Sequence, residues 1–262
     1  MKHVERRDLY TSFPKRLHYL QTFIEWGQAD INALRGAQTF VKSLIPTVCE
    51  IVYNKILEHD ITAQAFHNQS TKGTNDLDVD DYVKKESPAI MNRRMFLRWY
   101  LTKLNQDPSK PEYWEYLNKV GAMHTGFFRR QPLTVDIMHI SMMLGHVQNT
   151  LNAAVISAPD IPTDSKIAIV TAFGKLLWIQ NDLFSKWFVK DGEEYGESNA
   201  KLQYEAATKG GKADDFLGFG GERTYCPFSG VSRTLKNQAD GQPGYVYAVG
   251  GGGFAARSMR SV

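Results

Sequence analysis

Long apolar runs are absent from this 262-residue chain, and their absence excludes a first group of functions. No 18 consecutive apolar residues occur, and the opening Met-Lys-His-Val-Glu-Arg-Arg-Asp lacks the apolar centre of a signal peptide. Neither a membrane span nor secretion is therefore expected. Cysteine is nearly as scarce. Cys49 and Cys226 are the two, far too few for a disulfide framework, so a reducing compartment, the cytoplasm, is the expected location. Excess charge is missing too. The formal net charge is +3, and basic residues fall in isolated pairs such as Arg93-Arg94 and Arg129-Arg130, which argues against a nucleic-acid partner.

Glycine is rare in one part of the chain and abundant in the other. Seven of the 21 glycines precede residue 191 and fourteen follow it, including a four-glycine run at 250–253. That shift predicts a domain over residues 1–190 and a glycine-rich tail over 191–262. The tail is expected to be disordered, because its few aliphatic side chains cannot offset the entropy of ordering it.

Strand-like alternation is absent as well. From Arg16 to about residue 189, apolar residues recur three and four apart between proline and glycine breaks, which predicts an all-α fold. Arg16 to Trp26 reads as one helix and Asp30 to Ser43 as a second. A third starts at Pro46, where proline suits a first turn, and ends near Asp60. Thr62 to Phe66 is a short helical piece, and the polar stretch Asn68 to Glu86 is a surface loop. The remaining helices run from Ser87-Pro88 to Asn105, from Pro111 to His124, from Leu133 to Ala158, and from a Thr163-Asp164-Ser165 cap to Phe188.

Two residues on these helices point to chemistry. Tyr113, Leu117, Val120 and His124 share one helical face, so the imidazole closes an apolar stripe just before the helix-ending Thr125-Gly126. Such an imidazole suits a metal such as iron, although an ordinary core histidine fits the same pattern. Tyr53 shares a face with Cys49, Ile56 and Leu57, where its phenol must find a partner inside the protein: a bound ligand or a nearby backbone carbonyl.

The order of these features carries a resemblance. Tyr19-Leu20-Gln21-Thr22-Phe23-Ile24, Val52-Tyr53-Asn54-Lys55-Ile56-Leu57, Val120-Gly121-Ala122-Met123-His124-Thr125-Gly126 and Leu177-Trp178-Ile179-Gln180-Asn181-Asp182-Leu183 together resemble the protoglobin and globin-coupled-sensor family over roughly residues 15 to 190. The resemblance implies a globin-like helical sandwich with an extra N-terminal helix. It also implies a haem b cofactor with His124 as the proximal iron ligand and Tyr53 as the distal donor. Phe96, Met95 and Val120 are implied as further cofactor contacts. Val52 departs from the family, which carries tryptophan before the distal tyrosine. Helix 87–105, where better-known globins carry a distal histidine, has none.

The expected function is reversible binding of oxygen, carbon monoxide or nitric oxide as a gas sensor or carrier. A homodimer through the last two helices is implied, with Trp178, Trp187 and Phe188 adding aromatic surface, and a signalling partner receives any signal. One alternative is a haem redox enzyme, a nitric oxide dioxygenase or peroxidase-like protein; it would need a separate reductase, since no flavin or nicotinamide motif is present. A haem-free helical interaction module is the other. His139 and His146 share one face as polar edges or contacts to the haem propionates, and Lys72, Arg93 and Arg94 are further propionate candidates. The aspartates of the 68–86 loop lack the glycine and closing glutamate of a calcium-binding EF-hand.

Overall fold

Pro46 lies inside a single helix, α3, which runs Gln28–Leu57, and not at the start of a new one as its sequence position predicts. Proline inside a helix costs roughly 3 kcal/mol. The buried positions Leu34, Ala37, Val41, Ile45, Val48, Cys49, Val52 and Tyr53 nevertheless repeat at helical spacing straight through it. Burial of that continuous face outweighs the proline, since each fully buried large aliphatic residue contributes about 1.5–3 kcal/mol. The helix also begins earlier than Asp30. Asp30 sits in its first turn, where its carboxylate accepts from the Gly27 N–H at 2.8 Å and pairs with Lys175 at 3.1 Å.

The computed structural model describes residues 1–66, 88–126, 134–195, 223–225 and 232–234. Two short helices, α1 (Arg6–Thr11) and α2 (Phe13–Phe23), precede α3. After it come α4 (Asp60–Ala63) with a 3-10 turn Gln64–Phe66, α5 (Pro88–Leu104), α6 (Pro111–Met123), α7 (Ile137–Ser157) and α8 (Thr163–Ser185). The 68–86 loop, Lys72 and residues 127–133 lie outside the described residues.

α8 is the centre of the packing, in contact with α2, α3, α6 and α7. It is also the one helix among the described residues long and apolar enough to cross a membrane, but half of that stretch is buried within the fold, as in a core helix. Leu176, Leu183 and Gln180 on it are fully buried. α8 carries no side-chain cap: its N-cap is Pro162, and Thr163-Asp164-Ser165 already lies inside the helix. The extra N-terminal helices are tied to it by a bidentate pair, Arg16 Nε and Nη2 each donating to Asp182 at 2.7 Å. Farther along, Gly192 (φ +88°) brings the chain against the Tyr10 ring so closely that a Cβ would collide with it. The Arg6–Glu194 pair closes the same contact.

A second unit, residues 219–262, holds one described element, an antiparallel pair of strands β1 (Arg223–Tyr225) and β2 (Ser232–Thr234), with Thr224 opposite Arg233. Of the tail, residues 191–195 and these two strands are described, and the rest lies outside the described residues.

Candidate functional site

A cavity of about 300 Å³ opens between α3, α5, α6, α7 and α8. His124, Tyr53, Phe96 and Val120 line it, so four of the five residues predicted for the site meet there. Met95 does not. It is 36% exposed and shares its helical face with the exposed Met91 and Arg98, whereas Phe96, one residue and about 100° further round α5, faces inward.

His124 is the C-cap of α6. Its Nδ1 lies 2.8 Å from the Val120 carbonyl one turn back. A carbonyl oxygen only accepts, so Nδ1 carries the proton and the lone pair is on Nε2. A metal-binding histidine is prepared in this way, with tautomer and ring orientation set by the second nitrogen. The Phe184 ring from α8 meets the imidazole edge to face at 5.1 Å. Gly121 makes that contact possible: any Cβ there would overlap the Leu183 carbonyl, so glycine alone lets α6 approach α8 this closely. Beyond His124 the chain is fixed again. Gly126 turns it at φ +93°, and the Val135 N–H donates to the His124 carbonyl at 3.0 Å.

Tyr53 stands on α3 and is 5% exposed. Burial holds its phenol well above the ordinary range, against a weaker opposite pull from Arg93, so it stays protonated and keeps an O–H to donate. The Arg94 guanidinium lies over its ring at 5.7 Å. Arg93 itself lines the cavity, where burial lowers its pKa while the nearby Tyr53 raises it. Val52 is 2% exposed and lines the cavity beside Tyr53, a smaller wall there than tryptophan would make.

The two histidines of α7 part company. His139 lines the cavity; His146 does not and is half-buried elsewhere on the helix. Among the other lining residues, Tyr100, Tyr116, Leu144 and Phe184 escaped the sequence reading. Tyr116 carried a usable signal, standing one turn before Val120 and two before His124. Phe184 carried none, because only the approach of α8 brings it to the imidazole. Among the described residues no cluster of three or more histidine, cysteine or acidic side chains is placed to hold a metal ion.

An all-helical wall around an apolar cavity, with one histidine at the end of a helix facing the last two, defines a globin-type protein. The family model described as Protoglobin matches residues 13–194, and the chain belongs to that family. Its fold is similar to the globin domain of a Geobacter sulfurreducens globin-coupled sensor, with a TM-score of 0.51 and 13% identity over 66% of this chain and 97% of that one. No curated protein sequence matches the chain. Membership implies a haem cofactor. The residues fit one: the cavity wall is mostly apolar, and His124, at the C-cap of α6, lines it with Nδ1 bonded to the Val120 carbonyl.

Proposed function

We propose that this chain binds haem b in the cavity and a diatomic gas beside it, with His124 as proximal ligand and Tyr53 as distal hydrogen-bond donor. The Nδ1 hydrogen bond of His124 to Val120 carries the reading. Haem, when bound, would supply an iron able to take oxygen, carbon monoxide or nitric oxide. The protein's own part is positional. His124 is held in one tautomer and one orientation, Val120 and Phe96 exclude water from the wall, and Tyr53 offers a proton donor that favours the more polar gas, oxygen, over carbon monoxide.

A sensing role draws support from the likeness to the globin domain of a globin-coupled sensor. A signalling partner in trans receives the output. Assembly as a homodimer through α7 and α8 is supported by the exposed Met138, Met142, Ile156, Ile167 and Trp178 on those helices. Trp187 and Phe188, expected on that surface, are half-buried instead, Phe188 in the cluster around Phe184.

The test is optical. Wild-type protein supplied with haem b is expected to show a one-to-one Soret band and a five-coordinate ferrous spectrum, and His124→Ala to lose the latter. An unchanged ferrous spectrum in His124→Ala removes His124 from the proximal role.

A further inference from the structure

A second, smaller cavity of about 20 Å³ adjoins the first. Val41, Ile45 and Val48 of α3, Leu151 of α7 and Phe173 of α8 form much of its wall, and all five are buried. Leu101 and Leu104 of α5 line both cavities, so their side chains stand on the boundary between the two. Among the described lining residues Asn105 alone is polar, and its amide is engaged: Nδ2 donates to the Gln38 carbonyl at 2.9 Å.

Size and polarity decide what such a space takes. It has room for a single small molecule, since roughly 10–15 Å³ is already enough for a water. A buried water, however, needs two to four polar partners, and the lining side chains offer only Asn105, whose amide group is already bonded. The wall therefore favours a small molecule with weak hydrogen-bonding needs, in the way that apolar cavities stay dry and take up xenon. Oxygen, carbon monoxide and nitric oxide are of that kind. We infer that this cavity is a holding site for one diatomic gas molecule, which exchanges with the main cavity past Leu101 and Leu104. The inference rests on the gas-binding reading above and adds to it a place where gas is kept between the solvent and the iron.

The test uses xenon as the probe on the full chain, supplied with haem b and carrying isotope-labelled methyl groups. Under xenon pressure the methyl resonances of Val41, Ile45, Val48 and Leu151 are expected to shift and to saturate. Val41→Leu and Val48→Leu each add a carbon to the wall of the small cavity and leave the lining of the main one unaltered. Each should lose the saturable shift while keeping the wild-type dispersion of its other methyl signals. After flash photolysis, carbon monoxide should rebind with a slow geminate phase that xenon and both substitutions diminish. Absence of a saturable shift in the wild type, as for a cavity already holding water, overturns the holding site, and so does a shift that survives both substitutions. Methyl shifts with no effect of xenon on rebinding overturn the exchange with the main cavity. Failure of the wild type to take up haem is a separate result, which sinks the gas-site reading and the holding role with it, whereas a haem-loaded protein whose methyls are silent to xenon sinks the holding site alone.

Discussion

Gly121 on α6 rests against the backbone carbonyl of Leu183 on α8, with no room for a side chain between them. The contact is a tertiary one, yet it sets the position of His124 three residues on, whose ring then meets Phe184 at 5.1 Å. Gly121→Ala is accordingly expected to push the two helices apart. We expect a loss of about 1–3 kcal/mol, the usual cost of overpacking, seen as a fall in thermal midpoint of roughly 2–4 °C per kcal/mol. Haem uptake should weaken with it. An alanine variant as stable as wild type would show that the helices can yield.

For Tyr53→Phe, the hydroxyl alone is lost from a residue otherwise well packed. Oxygen dissociation is expected to rise about 10- to 100-fold, with carbon monoxide release changing little, because a hydrogen bond to the more polar gas contributes about 1.5–3 kcal/mol. Stopped-flow rates for both gases decide it. Equal oxygen rates in the two proteins remove Tyr53 from the distal role.

The bidentate pair between Arg16 and Asp182 predicts that the N-terminal helices are integral to the domain. The two side chains are only 14% and 25% exposed, so Arg16→Met strands a carboxylate that is largely shielded from water. Denaturant unfolding should show a loss of about 1–3 kcal/mol. Replacing both, Arg16→Met with Asp182→Leu, should recover part of it, since the penalty lies in the unpaired charge.

Lys186, packed between the rings of Phe13 and Trp187, gives a dependence on pH. Burial, aided by Arg16, lowers its pKa to about 8 from an ordinary 10.5, and Asp182 offsets only part of that. Between those values the unfolded chain holds a proton that the folded one has released, so this lysine's contribution to stability rises with pH from about 8 and levels off near 10.5. Below pH 8 both states are charged and the burial penalty is felt in full. The difference in unfolding free energy between wild type and Lys186→Met, measured across that window, should change in this direction; a flat difference refutes the shift.

Much of the site could be read from the chain because helical spacing is local. His124, Val120 and Tyr116 lie on one stripe whatever the rest of the protein does, and Tyr53 shares a face with Cys49 and Ile56 for the same reason. Spacing was less informative where two neighbours compete. Phe96 and Met95 are both apolar and adjacent, and which one faces the cavity depends on how α5 is rotated against α3 and α6. His139 and His146 look alike on a helical wheel, but His139 lines the cavity and His146 does not, although its neighbour Val147 does.

Local pattern by itself thus determined the helical class, the order of the helices, and the faces carrying His124 and Tyr53, because those depend on periodicity and on the punctuation of proline and glycine. Tertiary structure alone decided that α3 passes unbroken through Pro46 and that Gly121 is a contact rather than a hinge. It also decided that Phe184, Tyr100 and His139 belong to the cavity. These depend on which surfaces meet across long stretches of chain. The burial gained when they meet is large enough to override a helix-breaking residue and to bring together side chains that no local rule connects.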